Sequence, residues 1–136
     1  MKPKKSLGQN FLNDRNILSK IVDIADISEK DIILEIGPGT GNLTEKILNK
    51  KPRKIHLIEK DERCLSILKE KFGNNITNIK VENKDILNCY NNIEYNVPVK
   101  VFGNLPYNIS TKILTNFVKL DDLSKKFKKF IFIFQK

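Results

Sequence analysis

The sequence predicts an α/β fold, a parallel sheet with helices on both faces. Three observations predict it. Short apolar, β-branched runs alternate with segments of helical period along the chain. Those runs are apolar almost throughout instead of at every second position, as strands covered on both faces are. Finally, 136 residues with 40% hydrophobic and 30% charged side chains, and neither an internal repeat nor a low-complexity linker, fit one domain with one core.

The elements follow in order. Residues 14–25 put Ile17, Leu18, Ile21, Val22 and Ala25 on one helical face, with Asn13 or Asp14 as N-cap. "DIILEIG" (31–37) is a buried strand ending in glycine. Residues 42–50 form a helix through Leu43, Ile47 and Leu48, and "KIHLIE" (54–59) the second strand. A helix over 61–72, through Leu65, Leu68 and Phe72, stops at Gly73. "NIKVEN" (78–83) and "VKVFGN" (99–104) are strands three and four. Ser110 caps a helix over 110–118, and "KFIFIFQ" (129–135) is a fifth strand. The charge-rich connector over 120–129 reads as solvated surface.

Composition narrows the function. No apolar run approaches the roughly 20 residues of a membrane span. The basic start, Met1 to Ser6, has no apolar segment behind it and is not a secretory signal. Cys64 and Cys89 stand far apart, and His56 is the sole histidine. That excludes an ordinary zinc site, so no metal is expected, and points to a reducing, cytosol-like compartment. Both cysteines read as small buried hydrophobes, and His56, inside strand two, as a satisfied core or edge histidine. The net charge of +9 invites a nucleic-acid partner. Against that, only Arg15, Arg53 and Arg63 of the 25 basic residues are arginine, which also fits compositional bias.

In an open parallel sheet, ligands sit beyond the carboxyl ends of the strands. Strand one ends in Glu35-Ile36-Gly37-Pro38-Gly39-Thr40-Gly41, whose glycines allow a sharp turn and close backbone approach. Asn42 stands where a dinucleotide fingerprint needs glycine, and no Gly-Lys-Ser/Thr follows, so nicotinamide and P-loop readings weaken. Strand two ends in Glu59, placed to accept both hydroxyls of a ribose; a solvated helix start is the alternative. With the glycine turn, it implies a cofactor containing adenosine. After strand three, Asp85 can take the exocyclic amine of an adenine with Ile86 against the ring; a plain surface-loop acid is the alternative. Strand four runs into Asn104-Leu105-Pro106-Tyr107. An amide, a rigid proline and an aromatic ring together suit a flat, amino-bearing group.

These strand ends resemble a class I S-adenosylmethionine (SAM) methyltransferase. "KKSLGQNFL" (4–12), "EIGPGTGNLT" (35–44) and "FGNLPYNIS" (102–110) are, more narrowly, similar to the rRNA adenine dimethyltransferases (KsgA type). The resemblance runs from about residue 4 to the end of the chain. It implies a Rossmann-like core and dimethylation of adenine in small-subunit rRNA during ribosome biogenesis, by a cytoplasmic protein that is monomeric at full length. It also implies residue roles. Gln9, Asn10 and Leu12 would fold over the methionine end of SAM, and Gly37 would approach it with its backbone. Glu59 would hold the ribose and Asp85 the adenine, and Asn104 would lie between cofactor and target base.

The resemblance gives the fourth strand end a chemistry. The amino nitrogen of adenine donates its lone pair into the ring and is a poor nucleophile. Asn104 Oδ1 and the Leu105 carbonyl can each accept one N–H, drawing the nitrogen toward tetrahedral. Pro106 stiffens the turn. Tyr107 offers an extruded base a stacking face. A similar tetrad occurs in enzymes acting on DNA adenine or on the glutamine amide, so it specifies a planar amine. The RNA assignment rests on the N-terminal stretch and the residues flanking the tetrad.

Only two residues follow the apolar run Phe130–Phe134, which predicts a chain that stops mid-fold. The family continues with two more strands and a small helical domain. Residues 1–136 are therefore expected to be an incomplete SAM-binding domain, the helical domain being absent. The alternatives are a large-subunit rRNA methyltransferase of the resistance type, a non-catalytic nucleic-acid-binding relative as in organelles, and an inactive fragment.

Overall fold

A computed structural model describes residues 15–73, 78–90, 95, 97–120 and 126–135. Gln9, Asn10 and Leu12, with the expected caps Asn13 and Asp14, lie outside the described residues. The elements are α1 (Arg15–Ala25), β1 (Ile32–Ile36), α2 (Asn42–Asn49), β2 (Lys54–Ile58), α3 (Glu62–Phe72), β3 (Ile79–Glu82), a 3₁₀ turn (Ile86–Asn88), β4 (Val99–Pro106), α4 (Tyr107–Val118) and β5 (Phe127–Gln135).

The five strands pair in parallel in the order β3-β2-β1-β4-β5. Side chains alternate across the sheet and build two cores. Ile33 of β1 packs with Leu18 and Val22 of α1, Ile47 of α2 and Leu68 of α3 on one face. Leu34 and Ile36 pack with Ile113 and Phe117 of α4 on the other. Burying each such Leu, Ile or Phe stabilises the fold by about 1.5–3 kcal/mol. The connections from β1 lead toward β3 and that from β4 leads toward β5. The order therefore reverses between β1 and β4, and a crevice opens at their carboxyl ends.

Three boundaries differ from the sequence expectation. β5 starts at Phe127, inside the stretch expected to be a solvated connector, because Phe127 is buried in the core and pairs with Val99. β4 does not end at Asn104. Its pairing with β1 stops at Ile36↔Gly103, but its pairing with β5 continues through Asn104↔Ile133 and Leu105↔Phe134 to Pro106↔Gln135. A neighbouring strand that local sequence cannot reveal holds the Asn-Leu-Pro segment extended. Ser110 is not a cap either. α4 starts at Tyr107 directly after Pro106, and Ser110 is fully buried in its second turn, donating from Oγ to the Leu105 carbonyl at 3.4 Å. Gly73 does end α3: its N–H donates to the Lys69 carbonyl at 2.8 Å.

The opposite, amino-terminal edge of the sheet is tied by a buried ion pair. Lys100 Nζ donates to Asp31 Oδ2 at 2.8 Å and to the Asp26 carbonyl at 2.7 Å. The Ser28 N–H donates to the same carboxyl at 2.8 Å, and Lys128 approaches it at 3.3 Å. Burial raises the Asp31 carboxyl, but Lys100, the Ser28 N–H and Lys128 outweigh it and hold it below its usual range. This cluster fastens the α1–β1 turn to β4 and β5.

Candidate active site

The crevice is built from the turn after β1 outward. Gly37 and Gly39 have positive φ, 68° and 60°, which lets the chain reverse into α2 within a few residues. Gly37 donates its N–H to the Ile58 carbonyl at 2.9 Å, so the turn is stitched to β2. A Cβ on Gly37 would lie 2.6 Å from Leu105 Cδ2, closer than any real contact. Glycine here lets Leu105 and the β1 turn close on each other.

Glu59 follows β2 directly and is 93% buried, being 7% exposed. Its Oε1 accepts the Gly39 N–H at 2.9 Å and its Oε2 the Asp61 N–H at 3.0 Å. The carboxylate is thereby fixed in orientation, and each oxygen keeps acceptor capacity. The β3 end is locked to the same place: Lys84 N–H and Asn83 Nδ2 both donate to the Glu59 carbonyl, at 3.2 and 2.9 Å. Asp85 Oδ1 accepts the Leu87 N–H at 3.0 Å and so starts the 3₁₀ turn that presents Ile86.

These strand ends line a cleft that is partly open to solvent. Gly37, Glu59, Asp85, Ile86 and Leu105, all singled out in the sequence, line it together. Asn104 is half-buried beside them without lining the cleft, and Pro106 is exposed. The backbone of Tyr107 opens α4; its side chain lies outside the described part of the chain. Sequence reasoning missed Lys84, Leu87 and Ile109 as lining residues. The signal for Ile109 was its place one helical turn before Ile113, on the apolar side of α4.

It also missed the role of Glu35. That side chain is buried at 1% exposure under the first turn of α2, where Thr44 Oγ1 donates to its Oε1 at 2.5 Å. Its Oε2 has no hydrogen-bond partner among the described residues. Burial pushes the carboxyl up to about 8; the Thr44 bond opposes this and the nearby Glu59 charge adds to it. Cys64 is buried and Cys89 half-buried, and burial raises both thiols, as in inert cysteines. His56 is buried but satisfied on one nitrogen only. Nδ1 meets the Tyr95 hydroxyl, whereas Nε2, 3.4 Å from Glu82 Oε2, makes no hydrogen bond among the described residues. Among the described residues there is no cluster of metal-ligating side chains, and no helix is long and apolar enough to cross a membrane.

The donor set suits an adenosine. The carboxylates of Glu59 and Asp85 stand in one cleft with Lys60 and Lys84, and Ile86, Leu87 and Leu105 supply apolar walls. A family model described as ribosomal RNA adenine dimethylase matches residues 1–136. Ribosomal RNA small subunit methyltransferase A of Pelagibacter ubique (strain HTCC1062) is 50% identical over 136 residues, covering 100% of this chain and 50% of that protein. The crystal structure of a dimethyladenosine transferase from Plasmodium falciparum superposes with a TM-score of 0.71 at 31% identity, over 90% of this chain and 42% of that one. That of the 23S rRNA methyltransferase ErmE gives 0.70 at 30% identity, over 82% and 44%. The chain spans about half the length of the curated relatives it matches.

Proposed function

Because this chain belongs to the ribosomal RNA adenine dimethylase family, we propose that it is the cofactor-binding part of a SAM-dependent enzyme that dimethylates adenine amines in small-subunit rRNA. The observation that carries this reading is the gathering of Glu59, Asp85 and Leu105 around one cleft. Two adenosine acceptors then stand beside the Asn-Leu-Pro-Tyr segment. The small subunit is favoured because the relative named for it is 50% identical, against 30% for the 23S enzyme. In this reading the full-length protein acts in the cytoplasm, as a monomer.

Bound SAM supplies an electrophilic methyl group. Glu59 accepts the ribose hydroxyls on a carboxylate already oriented by two backbone N–H groups. Asp85 accepts the adenine amine, and Ile86 covers the ring. Asn104 Oδ1 and the Leu105 carbonyl each accept one N–H of the target amine. A carbonyl oxygen has two lone pairs, and the Ser110 hydroxyl reaches that of Leu105 at 3.4 Å. Two acceptors on one amine direct its remaining lone pair away from the aromatic ring. The gain is orientation and avoided reorganisation, with no strong base required.

The test is calorimetric titration of the chain with S-adenosylhomocysteine, with NADH as control. Binding of S-adenosylhomocysteine alone supports the reading. Binding of NADH instead, or of neither, overturns it.

A further inference from the structure

We infer that His56 is a positioning residue for the adenosine wall of the cleft: through one shared oxygen of Glu82 it sets whether Lys84 stays docked on Glu82 or is released beside Asp85. The inference rests on reading the cleft as an adenosine site.

The geometry is a competition for one atom. Glu82, the last residue of β3, offers Oε1 to Lys80 at 2.8 Å. Its Oε2 is approached by Lys84 Nζ at 3.1 Å and by His56 Nε2 at 3.4 Å. The first is a docked ion pair. The second is near enough for charge attraction, but Nε2 remains buried without a hydrogen bond among the described residues. The other side of the ring is held by the Tyr95 hydroxyl at Nδ1, with the rings edge-on at 71°. The ring is thus fixed, and what it offers Oε2 depends on its charge.

Neutral His56 accepts from Tyr95 at Nδ1 as the tautomer with hydrogen on Nε2, which faces Glu82 Oε2 at 3.4 Å without a hydrogen bond among the described residues. Its hold on Oε2 is weak, and Lys84 stays docked. Protonation places a full charge behind Nε2–H, and charge-assisted bonds are roughly twice as strong as neutral ones. Oε2 then closes on the imidazolium and Lys84 loses its share. The Lys84 backbone is fixed by its bond to the Glu59 carbonyl, so only the ammonium can move. The nearest alternative anion along the chain is Asp85, which lines the same cleft. An ammonium there competes with the ligand's amine.

Other groups around the ring set the background. Lys80 and Lys54 disfavour the imidazolium and Glu82 favours it, while burial, the largest effect, lowers the His56 pKa. Tyr95 is raised by burial, with Glu82 and Cys89 adding, so it stays neutral. Glu82 is held at about 2, chiefly by Lys80, and stays ionised while His56 titrates. Linkage then fixes the sign. A ligand that needs Asp85 free of Lys84 favours neutral His56 and lowers its titration midpoint, and the same ligand binds more weakly once His56 is charged.

His56 is the sole histidine of the chain, so its Cε1 proton gives one unambiguous NMR titration. Lys84 is 55% exposed at its side chain, so Lys84→Gln spares the core. In the ligand-free chain Lys84→Gln should raise the His56 midpoint, because Oε2 loses its competitor. In the unmodified chain S-adenosylhomocysteine should lower that midpoint by about 0.7 pH unit, matched by about fivefold weaker binding when His56 is charged, at the low end of usual coupling. Lys84→Gln should abolish both effects. A ligand-free midpoint indifferent to Lys84→Gln refutes the shared oxygen. Calorimetric binding of S-adenosylhomocysteine that leaves the midpoint unmoved refutes the positioning role while the adenosine reading stands. No binding at all refutes both.

Discussion

The Gly39 N–H donates to Glu59 Oε1 at 2.9 Å, across 20 residues of sequence, so the glycine turn after β1 and the acid after β2 form one rigid unit. Glu59 both orders the turn and faces the cleft. Glu59→Ala therefore removes an anchor and a ligand acceptor together. Hydrogen bonds to charged groups are worth about 1.5–3 kcal/mol, so S-adenosylhomocysteine should bind roughly 10- to 150-fold more weakly in calorimetry. In catalysis the loss should appear in KM for SAM more than in kcat, since ribose is held alike in ground and transition states.

Gly37→Ala should destabilise the protein in two separable ways. The left-handed backbone costs a residue with a Cβ about 1–2 kcal/mol. The collision with Leu105 Cδ2 adds a packing cost of about 1–3 kcal/mol. Leu105→Ala relieves only the second. Urea unfolding of the two single variants and the double variant should give a coupling of the size of the packing part. Strict additivity would mean that the two side chains do not compete for space.

Glu35 should make stability fall as pH rises. Below the usual carboxylate range both folded and unfolded chains hold this proton. Between there and about 8 the folded chain retains it while the unfolded chain has lost it, so ionisation progressively favours unfolding. Glu35→Gln cannot ionise and should remove that slope. Urea midpoints across the window, with and without the substitution, check the sign.

Much of this was legible in the sequence because it is local. β-branched runs, helical periods and the glycine turn fix the order of elements, and the strand ends name Gly37, Glu59, Asp85 and Leu105. What was not legible depends on distant partners. Asn104 to Pro106 are extended because β5 pairs with them. Ser110 looks like a cap until Pro106 starts the helix before it. Asp31 and Lys100, 69 residues apart, carry no local sign of their bond. Glu35 differs from a surface acid only through burial against Thr44.

The Asp31–Lys100 pair yields a further prediction. Lys100→Met should cost up to about 3–5 kcal/mol, since it removes the buried partner of the Asp31 carboxylate and leaves it the Ser28 N–H and the longer, more exposed Lys128 contact. Asp31→Asn combined with Lys100→Met should cost less, because no lone charge remains. The Asp31 carboxyl is depressed in the folded chain, so its contribution is present above the usual carboxylate range and is lost as pH falls through its lowered folded value. Denaturant titrations at neutral and acidic pH would show the single variant losing less additional stability than the unmodified chain on acidification.

The central claim is that Asn104 orients the amine that accepts the methyl group. Tritiated-methyl transfer to unmethylated small ribosomal subunits, by protein carrying Asn104→Ala, tests it most directly when paired with a cofactor titration. Deleting one oriented polar group at a reacting centre costs about 100- to 1,000-fold in rate. Transfer should fall by that much while S-adenosylhomocysteine binds as before. A near-normal rate would contradict the account and leave the Asn-Leu-Pro-Tyr segment a structural turn.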